Sequence, residues 1–275
     1  MSRPSDAGVP ETDFSERRLL DLAYDNLAPY LRRFATAAPS SSSIELGGVV
    51  GCIMPSCPRR SLLNCVTYDR SRPDELVGNL DRLRSMYADA GVGAWGIWML
   101  DGEVELAREL TAAGLKLDST PAAMTAPMTE LRLGSGRADV EISDDWDPAA
   151  MARLNAIAYG LPDDEFAALG GLAAEDDMFM FSAIVEGERV ACNLVQHLPG
   201  GDCSVYFVAT APAHRSQGLG RAVMEASLHH ACDAGCVTTS LQASDKGFPM
   251  YLKLGYRDLG RKVELWEHRA GEGQA

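Results

Sequence analysis

Apolar residues along this chain recur with two periods, and the alternation between them outlines two passes through the same series of elements. The first ordered segment is helical. Leu19, Ala23, Leu27, Tyr30, Leu31 and Phe34 fall at helical spacing and form one apolar stripe, which predicts a single docked helix from Phe14 to the Ala37-Ala38-Pro39 segment. Residues 44–54 read as one strand interrupted by Gly47 and Gly48 and closed by Pro55 and Pro58. A strand over 62–68, a helix over 74–90, a strand over 93–99, a helix over 103–113 and a final strand over 122–131 follow.

The later half repeats this order. Its pattern predicts a strand over 203–210, a helix over 218–234, a strand over 237–242, a short helix over 247–254 and a last strand over 256–266. Ala90-Gly91 corresponds to Ala234-Gly235, and Gly114-Leu115 to Gly255-Tyr256, which points to an internal duplication. Ahead of the second series lie a short strand over 140–142, a helix opened by Asp147 or Pro148, and a further helical segment starting at 162–165. A hairpin over 178–197 turns at Glu186-Gly187-Glu188. Leu133-Gly134-Ser135-Gly136-Arg137 is the linker candidate between the halves. The expected organisation is a polar tail at 1–13, a first domain at 14–133, a second at 138–268 and a tail at 269–275. The fold class is α/β (α+β), with mixed, mostly antiparallel twisted sheets flanked by helices.

The halves differ at the turn between their central strand and the following helix. In the second half the turn is Arg215-Ser216-Gln217-Gly218-Leu219-Gly220. Two glycines let backbone N–H groups converge at a helix start, a place that suits a phosphate. In the first half the same turn is Asp69-Arg70-Ser71-Arg72-Pro73-Asp74-Glu75, with carboxylates that suit the helix dipole but repel an anion.

The Arg-x-x-Gly-x-Gly run at Arg215, Gly218 and Gly220 resembles the acyl-CoA pyrophosphate loop of the GNAT acetyltransferase superfamily. The element order over 138–268 is similar to that fold, and the first half resembles a degenerate copy. The resemblance implies that Arg215, Ser216, Gln217, Gly218, Leu219, Gly220 and Arg221 surround the cofactor pyrophosphate. It implies that the backbone of Val208, Ala209 and Thr210 pairs with the pantetheine arm, and that Tyr251 protonates the departing thiolate. Leu110 stands at the position of Tyr251 in the first copy. The activity implied is transfer of an acetyl group from acetyl-CoA to a primary amine of a small molecule by direct attack. The alternative is a noncatalytic acyl-CoA-binding sensor or scaffold. Many relatives carry a glutamate base on the strand before the loop, whereas here Cys203-Ser204-Val205-Tyr206-Phe207-Val208 holds no carboxylate. His197, Asp202, Glu186 and Tyr206 are base candidates by sequence proximity alone, and each reads equally as a hairpin or surface residue. His229-His230 reads as a solvated helix face, and Trp95 and Trp98 as core, with a groove between domains as the second option.

Composition narrows the partners. Twenty-five basic against 39 acidic residues give a net charge of −14, which argues against nucleic acid and anionic membrane and suits a cationic amine. No apolar run is long enough to span a bilayer, and the start lacks a secretion signal, so a cytoplasmic protein is expected. The seven cysteines are odd in number and lie mostly in apolar surroundings, as reduced buried thiols do. Their spacing fits no zinc site, so no metal is expected. A homodimer is compatible with these features.

Overall fold

Pro, Gly and Asn residues set where the predicted elements break. The computed structural model describes residues 14–271 other than Asp163, so the expected tail at 1–13 and residues 272–275 lie outside the described residues. The first pass begins with α1 (Glu16–Asp25) and α2 (Leu27–Phe34). These are two helices where one stripe predicted one, because Asn26 takes up the junction and turns its amide to other elements. Residues 42–53 form not one strand but a hairpin, β1 (Ser42–Leu46) and β2 (Val49–Ile53), which turns at Gly47 with a positive φ of 61°. Then come β3 (Cys65–Tyr68), α3 (Pro73–Asp89), β4 (Ala94–Leu100) and α4 (Val104–Ala112). The last strand of this pass starts earlier than expected and is split at Thr120-Pro121 into β5 (Lys116–Ser119) and β6 (Ala122–Pro127).

The second pass is β7 (Glu141–Ser143), α5 (Pro148–Tyr159), β8 (Met178–Val185), β9 (Glu188–Leu198) and β10 (Asp202–Thr210). It continues with α6 (Leu219–Asp233), β11 (Thr238–Ala243), α7 (Phe248–Leu254) and β12 (Arg257–Arg269). Asp147 caps α5 by accepting from the Ala150 N–H at 2.9 Å, and Gly160 ends it in the left-handed conformation. β12 runs to Arg269, so the C-terminal tail starts later than the sequence pattern indicates.

The strands of both passes join in one sheet of order β1-β2-β3-β4-β12-β6-β11-β10-β9-β8-β7, with β5 also pairing with β12. Pairing is antiparallel except for β3 with β4 and β10 with β11. The centre of this order is an exchange. β6 of the first pass lies between β11 and β12 of the second, while the end of β12 lies between β4 and β5 of the first. β12 changes neighbours near Gly260, whose φ is 64° and where its register against β6 slips. The sheet therefore crosses the Leu133–Arg137 segment that divides the chain by sequence.

One polar node anchors the sheet where the halves meet. The Asp202 carboxylate, 2% exposed, accepts from Ser240 Oγ at 2.5 Å, Thr238 Oγ1 at 2.8 Å and Ser204 Oγ at 3.0 Å. Burial raises its pKa and these hydroxyls oppose the rise. Asn26 extends the node from the first half: it donates to Ser240 Oγ at 2.9 Å and accepts from Gln242 Nε2 at 2.9 Å, and its carbonyl takes the Tyr206 hydroxyl at 2.8 Å. Asp202→Ala leaves three buried hydroxyls without their acceptor, and the expected loss is about 3 kcal/mol of stability, read from the urea midpoint. A loss under about 1 kcal/mol would show that the node is dispensable.

Candidate functional site

β10 and β11 pair only over Asp202–Ser204 against Thr238–Ser240; beyond Ser204 the parallel strands separate. The edge of β10 that faces β11 is thus open from Val205 onward, while its other edge stays paired to β9 through Ala209 and Thr210. An extra residue between Tyr206 and Ala209 makes a bulge, with Phe207 at a φ of 50°. Asn155 of α5, fully buried, holds the bulge by donating to the Phe207 carbonyl at 3.3 Å. The separation opens a cavity of about 540 Å³ between the two halves of the chain. Val208 and Ser244 line it from the second half, and Tyr30 and Trp98 from the first.

At the far end of β10 the chain turns through Arg215–Gly220 into α6. Ser216 and Gly218 both take positive φ, 61° and 78°, which folds the loop back on itself. Among the described residues, no backbone N–H from Gln217 to Arg221 donates to another backbone group. Five consecutive donors therefore converge at the N-terminus of a fifteen-residue helix, an arrangement that binds phosphate. A Cβ on Gly220 would lie 3.0 Å from Thr210 Oγ1, so a larger residue there would have to push that hydroxyl aside.

The predicted arginines face elsewhere. Arg215 donates to the carbonyls of Thr210 at 3.2 Å and Ala158 at 2.6 Å, which fastens the loop to the end of α5. Arg221 pairs with Glu225 at 2.8 Å and donates to the Arg132 carbonyl at 3.0 Å. The cation turned toward the loop is Arg137, read from sequence as linker only. It donates to the Gln217 carbonyl, and its Nη1 would lie 3.3 Å from a Cβ on Gly218. Asp139 grips the other side of the same guanidinium.

Tyr251 of α7 lines the cavity, 6% exposed. Among the described residues, nothing hydrogen-bonds its hydroxyl. Burial, and then the nearby Tyr159 phenol, push its pKa far above the ordinary tyrosine value, so it stays protonated.

The remaining candidates separate clearly. Glu186 sits in the exposed β8–β9 turn at a φ of 52°. Asp202 stands in the β9–β10 hairpin, paired with Leu198, but its side chain is a buried anchor of the sheet and not a surface group, and Tyr206 is buried and lines the cavity. Of the His229-His230 pair, His229 is exposed as a solvated face requires, whereas His230 is half-buried with its ring 5.3 Å from that of His197, both against Phe179 at 4.3 and 4.7 Å. Burial, and then the charge of His230, lower the His197 pKa. Trp98 is both core and cavity wall, whereas Trp95 stacks on Tyr87 at 5.0 Å away from the cavity. Five cysteines are buried, Cys232 is exposed and Cys236 half-buried, and all are free.

The first copy diverges in the same way and is plugged. β3 and β4 pair only at Cys65 and Val66 against Gly96 and Ile97, then separate. Tyr24 of α1 fills the gap: its hydroxyl faces the Trp98 carbonyl at 3.0 Å and the Tyr68 carbonyl at 3.3 Å, and accepts from the Tyr68 N–H at 3.3 Å. The backbone groups that would receive a ligand there are used by a side chain. In the turn below, Glu75 accepts from the Gly48 N–H at 2.5 Å, and Arg72 bridges Asp69 and Glu75 at 2.9 and 2.8 Å. Leu110, where the second copy has Tyr251, is fully buried.

A central strand that bulges, diverges from its parallel neighbour and ends in a glycine loop on a helix brings an open backbone edge and a phosphate-type loop to one cleft. Residues 142–256 match the model of the acetyltransferase (GNAT) family. This match lies within the second half of the chain, and the first half follows the same order of strands and helices. No curated protein matches the sequence. Among solved structures, a GCN5-related N-acetyltransferase from Kribbella flavida is similar at 18% identity and a TM-score of 0.65, over 90% of this chain and 96% of its own. A tandem GNAT protein from the clavulanic acid biosynthesis pathway is similar at 13% identity and 0.56, over 96% and 97%. A putative GNAT-family acetyltransferase from Novosphingobium aromaticivorans is similar at 12% identity and 0.55, over 83% and 91%. At these identities the likeness concerns the fold, and it extends through both halves. Among the described residues, no helix is long and apolar enough to cross a membrane, and no group of three or more metal-binding side chains assembles.

Proposed function

We propose that this protein is an acetyl-CoA-dependent N-acetyltransferase that modifies a primary amine of a small molecule, with one cofactor site per chain. The observation that carries this is the contrast between two equivalent clefts. In the second copy the cleft is open and ends at five free N–H groups; in the first, Tyr24 and the Glu75–Gly48 bond close it.

In this reading the N–H groups of Gln217, Gly218, Leu219, Gly220 and Arg221 hold the pyrophosphate, with Ser216 shaping the turn and Arg215 fastening it. The open edge of Val208, Ala209 and Thr210 receives the amides of the pantetheine arm, as an added strand would. The bulge held by Asn155 aims the Val208 N–H into the cleft, where it stabilises the oxyanion as the amine attacks the thioester carbonyl. A C–N bond forms and the C–S bond breaks. Tyr251, unpaired and protonated, gives its proton to the departing sulfur, the nitrogen sheds its proton to solvent through the open cleft, and the phenol is reprotonated from solvent before the next turnover. The product amide and free CoA leave, and no covalent enzyme intermediate is required. Five of the seven cysteines are buried, which accords with this. In this reading the reaction belongs to the cytoplasm, where thiols stay reduced and acetyl-CoA is supplied.

The primary test is release of CoA thiol from acetyl-CoA against polyamines, aminoglycosides, amino acids and peptide amines. Turnover with any of them is expected; tight acetyl-CoA binding with none would make the protein an acyl-CoA sensor instead. Tyr251→Phe is expected to lower kcat about tenfold or more with little change in acetyl-CoA affinity. Because burial raises the phenol pKa, wild-type kcat should not fall from loss of this proton up to pH 10, the ordinary tyrosine value. An alkaline fall below pH 10 that Tyr251→Phe abolishes would show that the phenol pKa is not raised, and a kcat unchanged in Tyr251→Phe would remove the acid assignment. Arg137→Ala is expected to raise KM for acetyl-CoA about tenfold while leaving S-acetylpantetheine, which lacks the phosphates, unaffected. An equal change with both donors would show that Arg137 acts on the fold and not on the pyrophosphate.

A further inference from the structure

The cavity has a charge character that the acetyl-transfer chemistry does not require. Its lining includes two carboxylates, Asp118 and Asp245, and no Lys, Arg or His. Asp118 stands on β5 of the first half and Asp245 just past β11 of the second, so the two halves each supply one. Among the described residues neither makes a hydrogen bond or ion pair. This contrasts with the other acidic groups near the halves' junction: Asp101 is paired with Arg261, Glu130 with Arg257 and Glu225 with Arg221. The deeper walls between the carboxylates are aromatic, with Tyr30 and Tyr206 stacked at 4.6 Å and Trp98 beside them. The hydroxyl of Tyr206 is already committed to the Asn26 carbonyl, so what that residue offers a ligand is its ring.

Such a pocket selects against some amines and for others. An amino acid or an amino sugar phosphate would bring an anion to a wall with no cation to meet it, which costs binding through unpaired charge. A single ammonium would satisfy one carboxylate. Aromatic faces attract the cationic and apolar parts of a ligand, not anionic ones.

We propose that the acceptor is a dicationic amine: a primary amine on an apolar or aromatic body that bears a second positive group and no carboxylate or phosphate. One charged end lies against Asp118 and the other against Asp245, so the first copy acts in acceptor selection although it holds no cofactor. This proposal rests on the acetyl-transfer reading and adds the charge class of the acceptor to it.

Three amines with one body and different far ends provide the test: para-xylylenediamine, benzylamine and para-(aminomethyl)benzoic acid. With acetyl-CoA as donor, kcat/KM for the diamine should exceed that for benzylamine about threefold and that for the benzoic acid about tenfold. The first ratio should shrink as salt is raised. Asp118→Asn combined with Asp245→Asn should bring it to about one, and circular dichroism with a melting curve confirms that the variant is folded. Equal use of the benzoic acid and the diamine, or a ratio unmoved in the double variant, overturns the dicationic acceptor while leaving acetyl transfer intact. Acetyl-CoA binding without transfer to any of the three, or to any amine of the wider panel, overturns both.

Discussion

The carboxylate of Asp202 is the point on which the site depends. Two parallel strands that must separate need a fixed place from which to do so. Below that place the side chains of Thr238, Ser240 and Ser204 close on one buried acid, and above it the ladder ends. A carboxylate at 2% exposure is tolerable only because three hydroxyls converge on it. Asn26 then ties the same node to the helices of the first half, so opening the cleft and joining the halves are one structural event.

The duplicated halves show how one backbone plan supports opposite outcomes. Each has a strand pair that begins in register and diverges, and in each the exposed backbone groups demand a partner. In the first copy the Tyr24 hydroxyl supplies it permanently. In the second, the α5 residue Asn155 braces the bulge from behind and leaves the open edge free. The first copy has exchanged cofactor binding for a role as wall, and Trp98, whose own carbonyl is capped by Tyr24, is part of that wall.

Much of this was legible in the sequence. The order of elements, the repeat and the glycine loop follow from period, turn residues and the Gly218–Gly220 spacing, because these are local properties. Tyr251 was found through a resemblance, and the structure places it at the cavity. What local pattern cannot convey is pairing between distant segments. Asp202 read as a hairpin residue because its partners Thr238 and Ser240 lie 36 and 38 positions away. Arg137 read as linker because the Gln217 carbonyl that receives it is 80 positions distant. The helix break at Asn26 falls where Pro29 withdraws the N–H that the Asp25 carbonyl would receive, a signal the apolar stripe hides, and Ser240 and Gln242 of the other half fix the Asn26 side chain there. Asp118 gave no signal at all, since it lines the cavity only because β5 pairs with β12 of the other half.

The exchanged strands also impose an order in time. β12 follows every other described strand in sequence, thirteen residues that pair with β6 at its start and with β4 toward its end. Until those residues have left the ribosome, neither half has a finished sheet, and two interior edges stand open at once. The chain cannot mature half by half as separate domains do. It must wait, with both copies unfinished, for a single closing strand, and the cleft between the halves takes its final shape only then.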